Sequence, residues 1–178
     1  IKVLLIPQQD SSASYIAADI DAKMLQRIDL LNQNAKLIAQ YFNSPIQMRE
    51  FLKGRIGLQA LFQEGIVVIN KQGIGITEFP AGLGRETTLF DTREYFIKAM
   101  ATGKTAIGKP RISSFTSRPL VAIAAPIRNS TGALVGILAG FTSLSDKGLF
   151  GQVVQNRTEK AGAIIVSDRY YDLIVSSI

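Results

Sequence analysis

Few residues in this chain have the types and spacing that a catalytic or cofactor site requires. The sequence contains no Cys and no His, which removes thiol nucleophiles, histidine-based triads and nearly every zinc site. Gly103-Lys104-Thr105 matches the end of a phosphate-binding P-loop, but Lys98 stands where that loop needs its first glycine. The two Gly-x-Gly stretches, at 73–75 and 82–84, each lack the third glycine of a dinucleotide-binding turn. We therefore expect no catalysis, no cofactor and no metal site.

Composition and charge narrow the classes of partner. With 47% hydrophobic and 19% charged residues, a chain of 178 residues is globular and long enough to bury a core. The net charge of +6 permits acidic partners. Lys and Arg are scattered, however, and no basic cluster is interleaved with stacking aromatics, so we expect no nucleic-acid partner. Asp and Glu are dispersed as well, and a hydrolase would need carboxylates that only folding brings together.

The elements that would position a site are organised around a hairpin in the middle of the chain. Residues 120–127 and 134–141 are apolar runs of strand length, joined by a polar turn with Gly132. Because both runs are apolar on both faces, we expect this hairpin in mid-sheet with cover on each side. Small residues on the two strands leave room for a closely packed helix or for a ligand; they are Ala122, Ala124, Ala125, Gly136, Ala139 and Gly140.

A long amphipathic helix is predicted before this hairpin. Apolar residues recur at intervals of three and four from Ile16 to Phe42, and Ser11 or Ser12 would cap the helix. About thirty residues rising 1.5 Å each give roughly 45 Å, which exceeds the width of a small domain. Two interpretations stay open: a helix lying along a large core, or a stalk that transmits movement or pairs with its twin in a homodimer.

Further hairpins and a short helix flank the central strands. Residues 66–69 and 74–79 predict a first hairpin, followed by a Gly-rich loop over 80–88. A helix over residues 93–101 would be capped by Asp91 or Thr92 and ended by Gly103. Strands joined by hairpins, with segregated helices, predict an antiparallel sheet in an α+β domain.

The pattern divides the chain into parts. Residues 1–43 form a tail and the long helix, residues 44–146 a sheet-containing module, and residues 147–178 a connector with the first strands of a second, similar module. Leu149, Val153 and Val154 suggest one or two helical turns between residues 145 and 160, and residues 161–166 and 173–175 predict a third hairpin. The apolar residues 1–6 are too few to span a membrane; they are an edge strand or tail, or the remnant of a trimmed span. Because the chain begins without Met, we expect it to be a piece of a longer protein.

An ordered set of motifs resembles a known superfamily. It comprises Asp91-Thr92-Arg93-Glu94-Tyr95-Phe96 at a helix start, Ala101-Thr102-Gly103-Lys104 at its end, Thr116-Ser117-Arg118-Pro119, and the strand that follows Gly132. The set resembles the membrane-distal module of double Cache sensors, over about residues 12–178. The resemblance implies a PAS-like antiparallel sheet with a long N-terminal helix, followed by the start of a second module. It also implies an extracytoplasmic (periplasmic) sensing part of a membrane-anchored bacterial or archaeal receptor.

The resemblance further implies a pocket between the sheet and the segment that begins at Arg93. Carried over, the Arg93 guanidinium would fork two hydrogen bonds onto a carboxylate, Tyr95 would offer a hydroxyl, and Phe96 an apolar wall. The segment from Ser113 to Thr116 would lie on a bordering strand. The candidate ligand-binding residues are therefore Arg93, Tyr95, Phe96, Ser114, Phe115, Thr116 and Phe141.

Two departures from the amino-acid-sensing branch shape the expected ligand. Phe141 stands where that branch has an Asp for the ligand's ammonium, and Thr88 where it has a Tyr. We therefore expect a small carboxylate, another anion or a neutral compound rather than an α-amino acid. For the same reason we favour a diguanylate cyclase or histidine kinase output over a chemoreceptor.

The alternative is a ligand-free structural or dimerisation module. In that case Tyr95 and Phe96 are plain core residues and Arg93 is a surface residue, a helix cap or the partner of a nearby carboxylate. The acids that could pair with Arg93 are Glu78, Glu86 and Glu94.

Overall fold

A computed structural model describes residues 2–4, 10–144, 149, 164–167 and 173–177. The α-helices are α1 (Asp10–Ile38), α2 (Pro45–Lys53), α3 (Ile56–Leu61) and α4 (Glu94–Thr102), with a 3-10 helix at Ala39–Tyr41. The strands are β1 (Lys2–Leu4), β2 (Ile66–Asn70), β3 (Gly75–Phe79), β4 (Ala106–Ile107), β5 (Arg111–Ile112), β6 (Pro119–Arg128), β7 (Leu134–Ser143), β8 (Ile164–Ser167) and β9 (Leu173–Ser177). The chain packs as two compact units, Arg27–Ser143 in one and Ile1–Gln26 with Leu144–Ile178 in the other.

The Arg27–Ser143 unit is built on one antiparallel sheet. Its strands follow the order β3-β2-β7-β6-β4, and β5 also pairs with β6. The central hairpin β6–β7 pairs from Leu120 opposite Ser143 to Arg128 opposite Leu134, and the Asn129 side chain accepts hydrogen bonds from two backbone N–H groups of its turn. The predicted α+β class, with this hairpin in mid-sheet, is confirmed.

The alternation of side chains along β6 and β7 gives the sheet two covered faces. On one face Ala122, Ala124 and Ala139 belong to the same buried cluster as Tyr95 and Phe96 of α4. On the opposite face a Cβ added at Gly140 would lie 2.4 Å from the Phe62 ring, and Arg27 Nε of α1 donates to Thr142 Oγ1 at 2.9 Å. The small strand residues therefore serve close packing, which was one of the two uses the sequence left open.

The long helix is present, with an altered end. α1 has 29 residues, about 44 Å at 1.5 Å per residue. It was expected to continue to Phe42, but the chain turns into a 3-10 helix at Ala39–Tyr41, a common way for an α-helix to finish. Among the described residues, no helix combines the length and hydrophobicity needed to cross a bilayer. The stalk and the homodimer remain predictions.

The start of α4 differs from the expectation. The N-cap is Arg93, in extended conformation, and neither Asp91 nor Thr92. The Arg93 N–H instead donates to Phe90 O at 2.9 Å, which closes a turn over residues 90–93 and moves the helix start along the chain. Gly103 ends the helix in the left-handed conformation, as predicted.

The expected strand over residues 113–116 is also wrong. β5 ends at Ile112, and the Ser113 hydroxyl accepts hydrogen bonds from the N–H groups of Phe115 and Thr116, each at 3.1 Å. Such a side-chain acceptor stabilises a turn rather than a strand. Ser114, Phe115 and Thr116 therefore lie on a turn between β5 and β6.

The other unit contains a three-stranded antiparallel sheet in the order β1-β8-β9. The third hairpin expected near the end of the chain is present as β8 and β9. The apolar N-terminal residues form an edge strand, with Lys2 opposite Ser167 and Leu4 opposite Ile165. The short helical turns expected between residues 145 and 160 fall almost wholly outside the described residues. The boundaries 1–43, 44–146 and 147–178 remain a prediction.

Candidate functional site

A small cavity lies at the start of α4, on the face of the sheet that this helix covers. It is a shallow cavity, open to solvent at its mouth, whose volume of about 280 Å³ includes the solvent space there. Residues expected from the sequence that line it are Arg93, Tyr95, Ser114, Phe115 and Phe141. Ser113, expected on the bordering segment, lines it too, and the lining residues that the sequence did not indicate are Arg85, Phe90, Arg111 and Leu120.

Two expected site residues lie elsewhere. Phe96 is buried in the core cluster beside Ala99, because each helical position is rotated by about 100° from the one before it and only Tyr95 faces the cavity. The Thr116 hydroxyl donates to Glu64 Oε2 at 2.6 Å, which occupies it outside the lining. Glu64 also pairs with Arg118 at 3.5 Å, so this cluster borders the site without forming part of it.

Arg85 is the most deeply buried charged group of the site. Its relative exposure is 1%, and it sits on the loop between β3 and α4. The loop is held by the buried Glu78 carboxylate, which accepts hydrogen bonds from the N–H groups of Gly82, Gly84 and Arg85 at 2.9, 3.2 and 3.0 Å. Backbone bonds from this loop to Gly73 and Gly75 fix it further.

The Arg85 guanidinium is held in place but incompletely bonded. Its Nη2 donates to the backbone oxygen of Glu64 at 2.6 Å, and its charged carbon lies 4.5 Å from the Phe141 ring centre and 5.2 Å from that of Phe115. Within the part of the chain that the structure describes, Nε and Nη1 have no hydrogen-bond partner. A buried polar group without a partner costs about 1–3 kcal/mol, and a charged one more. Both nitrogens are enclosed by protein, and a Cβ added at Gly65 would lie 2.4 Å from Nη1.

Electrostatics around the cavity are dominated by arginines. Burial lowers the pKa of Arg85, partly offset by Glu78, Tyr95 and Glu64. Burial and the neighbouring Arg93 charge lower the pKa of Arg111. The lowered values still leave both groups cationic near neutral pH, because arginine titrates so high. Among the lining residues the structure describes, none is acidic.

The burial and the arginines around the cavity both affect the pKa of the Tyr95 hydroxyl. Burial raises its pKa to about 12, although the charges of Arg93, Arg111 and Arg85 act in the opposite direction. The neutral phenol is therefore kept over the physiological range, and it can donate a hydrogen bond to an anion in the cavity.

Replacing Tyr95 with Phe is expected to flatten the alkaline loss of stability. Unfolded Tyr95 releases its proton near pH 10, whereas the native residue keeps it to about pH 12, so the native state binds more protons between these values. The free energy of unfolding then falls with rising pH in this window, by about 3 kcal/mol for this group. Urea denaturation at several alkaline pH values measures the difference between the two proteins. If the free energies of unfolding of wild type and Tyr95→Phe changed in parallel with pH, the raised pKa of Tyr95 would be contradicted.

Within the described ranges, no three Asp or Glu side chains come together as a ligand set. The chemistry available at the cavity is instead hydrogen bonding and charge attraction to a small anion, with Phe90, Phe115 and Leu120 supplying apolar walls.

The fold is shared with solved ligand-binding domains of chemoreceptors. It is the Cache-type fold that the sequence motifs resemble, a long N-terminal helix followed by an antiparallel sheet, and solved structures of chemoreceptor ligand-binding domains share it. No family model matches the sequence, and no curated protein does so either.

Three solved ligand-binding domains illustrate the likeness. That of the Pseudomonas fluorescens chemoreceptor CtaA, in complex with L-serine, has a TM-score of 0.71 and 18% identity, covering 91% of this chain and 67% of that one. That of Pseudomonas aeruginosa PAO1 PctB, with L-Gln, has a TM-score of 0.72 and 18% identity, covering 91% and 64%. That of P. aeruginosa PAO1 PctC, with GABA, has a TM-score of 0.71 and 19% identity, covering 91% and 73%. This chain thus spans about two thirds of their length, and such identities show the fold.

Proposed function

We propose that this chain is a non-catalytic small-molecule-sensing domain of a membrane-anchored signalling receptor, located outside the cytoplasm. Its ligand carries a carboxylate or another anionic group and binds in the cavity at the start of α4. The observation that carries the proposal is that three arginines, Arg85, Arg93 and Arg111, line the cavity, while none of its described lining residues is acidic. The shared fold with chemoreceptor ligand-binding domains supports the sensing role.

The ligands of the named neighbours support part of this assignment. L-serine, L-Gln and GABA were bound to CtaA, PctB and PctC, and each carries a carboxylate that an arginine would pair with here. Each also carries an ammonium, which needs an acceptor. Phe141 and Phe115 cannot supply one, and no described lining residue is acidic, so only neutral acceptors such as the hydroxyl oxygens of the lining serine side chains remain. We therefore favour an anion, with an amino acid as the second candidate on the strength of those complexes.

The solved neighbouring structures favour a different receptor output from the one expected from the sequence. The three named domains belong to chemoreceptors, and they give no support to the cyclase or histidine kinase favoured from the sequence. We therefore propose a chemoreceptor as the parent protein ahead of those two. In any of these receptors, the ligand can shift the signalling state only by its difference in affinity for the two arrangements.

Replacing Arg93 with Ala is expected to weaken ligand binding without unfolding the protein. Arg93 is partly exposed at the N-cap of α4 and lines the cavity. A hydrogen bond to a charged group contributes about 1.5–3 kcal/mol, so the affinity should fall about 10- to 100-fold. Isothermal titration calorimetry with small carboxylates, L-alanine, L-glutamine and GABA measures this.

Arg55→Ala is the matched control, because it removes the same charge from a residue outside the cavity lining, stacked on the Phe51 ring. It should leave the affinity within about 2-fold, as expected for a partly exposed charge outside the cavity lining. Absence of binding by every probe would instead favour the ligand-free structural module. Equal affinities of wild type and Arg93→Ala would remove Arg93 from the site.

A further inference from the structure

We infer that Glu64 is a positioning residue of the anion site. It is not one of the lining residues, and its carboxylate holds the β5–β6 turn (residues 113–118) at the cavity through the Thr116 hydroxyl. The turn supplies residues 113–115 to the lining. This inference rests on the proposed sensing function and names a residue on which ligand binding at that site depends.

Glu64 contacts three segments of the cavity wall with three different groups. Its backbone N–H donates to Phe141 O at 3.1 Å, and its backbone oxygen accepts from Arg85 Nη2 at 2.6 Å. Its carboxylate accepts from the Thr116 hydroxyl at 2.6 Å. Each of these partners lines the cavity or directly follows a residue that does. Glu64 therefore fixes β7, the loop that carries Arg85 and the β5–β6 turn relative to one another.

The bond from Thr116 is the stronger of the two contacts that the Glu64 carboxylate makes with the turn. Glu64 is buried, and a hydroxyl that donates to a carboxylate forms a charge-assisted hydrogen bond. The pair with Arg118 is 3.5 Å long, and the Arg118 side chain is 69% exposed. An ion pair with so exposed a partner contributes little. The Thr116 hydroxyl is therefore the group to remove in a test.

The turn needs this bond because its own conformation is strained. Ser117 has a φ of 55°, a left-handed conformation that a non-glycine residue keeps only where its surroundings hold it. The Ser113 hydroxyl and backbone oxygen accept the N–H groups of residues 115–117. These bonds set the shape of the turn, but they lie within it and do not tie it to the cavity wall.

Phe115 is the side chain through which the turn acts on the site. Its ring centre lies 6.4 Å from that of Phe90 and 5.2 Å from the charged carbon of Arg85. The bond from the next residue, Thr116, determines where this ring lies. The ring keeps water from this wall of the cavity, and a cation attracts an anion more strongly where water is excluded. Release of the turn therefore weakens anion binding.

The experiment removes the Thr116 hydroxyl while the shape and charge of the side chain are kept. Acetate, propionate, L-alanine, L-glutamine and GABA are titrated calorimetrically, and the tightest-binding of them is used with each variant. Thr116→Val should bind it about 10-fold more weakly, because affinity falls with the fraction of molecules that keep the turn in place. Thr116→Ser, which keeps the hydroxyl, should stay within about 2-fold of wild type.

Thr131→Val is the matched control. The Thr131 hydroxyl donates to Asn129 Oδ1 at 2.7 Å in the exposed turn between β6 and β7, and Thr131 is not among the lining residues of the cavity. Its loss should leave the affinity unchanged. Urea denaturation of all three variants separates the roles, because a hydroxyl that served stability alone would lower the free energy of unfolding and leave the affinity of the folded protein as it is.

Hydrogen exchange in the wild type needs no variant and decides the inference even if Thr116→Val does not fold. The bonded N–H groups of residues 115–117 exchange when the turn opens. A saturating amount of the same probe should slow their exchange by about 10-fold or more, because it binds the closed turn. The N–H groups of Thr131 and Ala133, bonded to Asn129 Oδ1, should exchange at an unchanged rate.

Three results would overturn the positioning role and leave the sensing function standing. They are equal affinities of wild type and Thr116→Val, a Thr116→Ser protein that binds as weakly as Thr116→Val, and exchange at residues 115–117 that the bound probe does not slow. A wild type that binds none of the probes would count against the proposed function, and this inference would fall with it.

Discussion

Replacing Glu78 with Ala is expected to release the loop that carries Arg85 and to abolish ligand binding. The Glu78 carboxylate is buried, with 2% relative exposure, and accepts the backbone N–H groups of Gly82, Gly84 and Arg85. Its removal leaves these donors without an acceptor and takes away the nearest counter-charge of Arg85. We expect a loss of about 4 kcal/mol in the free energy of unfolding, the range of a broken buried network.

Urea denaturation and titration with the tightest-binding acid measure the two effects. Glu78→Gln keeps one acceptor oxygen and should lie between wild type and Glu78→Ala in both measurements. Glu50→Ala is the matched control, because Glu50 is exposed and its contact with Lys53 is 3.9 Å long; it should change stability by less than about 0.5 kcal/mol. If Glu78→Ala behaved like Glu50→Ala, the carboxylate would not be holding the loop.

The hydrogen bonds of Arg85 connect the cavity to the sheet. Arg85 donates to the backbone oxygen of Glu64, whose own N–H donates to Phe141 O at 3.1 Å. Phe141 lines the cavity, and the next residue on β7, Thr142, faces the other way and accepts from Arg27 of α1. Neighbouring positions of one strand thus contact the ligand site on one face of the sheet and the long helix on the other.

The elements of the fold were predictable because their signals are local. Alternating and helical spacings of apolar residues indicated α1 and the three hairpins, and turn chemistry placed Gly103 and Gly132 correctly. The exact start of α4 was harder to predict from the sequence. The hydrogen bond from the Arg93 N–H to Phe90 O closes a turn, and this turn competes with helix capping by Asp91. The segment that begins at Ser113 was taken for a strand because the hydroxyl bonds that turn it are not visible in a hydrophobic pattern.

The site was only partly predictable, for a different physical reason. Arg93 and Tyr95 could be predicted as site residues from the sequence, because they belong to one short motif at a helix start. Arg85 could not, since its burial depends on the carboxylate of Glu78 and on the rings of Phe115 and Phe141, which folding brings from other segments. From the sequence alone, an arginine beside Gly84 in a Gly-rich loop would be predicted to be exposed. Only the three-dimensional structure shows that Arg85 is buried and lines a cavity.

Replacing Gly136 with Ala is expected to destabilise the sheet strongly. A Cβ added there would lie 2.2 Å from Ile69 O, 3.0 Å from the Phe42 ring and 3.2 Å from Asn70 Cα. The Phe42 ring can shift, but the backbone of Ile69 and Asn70 is fixed by its pairing with β7, where Asn70 stands opposite Gly136. Overpacking against backbone of this kind costs about 3 kcal/mol.

Gly57→Ala is the control that separates this clash from a general effect of replacing glycine. Gly57 lies in α3, and an added Cβ there meets no atom within 4 Å. Since Ala is the better helix former, this variant should gain about 0.5–1 kcal/mol. Urea denaturation followed by circular dichroism should therefore move the two variants in opposite directions from wild type. A Gly136→Ala protein as stable as wild type would mean that β2 and β7, the strand that carries Phe141 to the cavity, approach less closely than described.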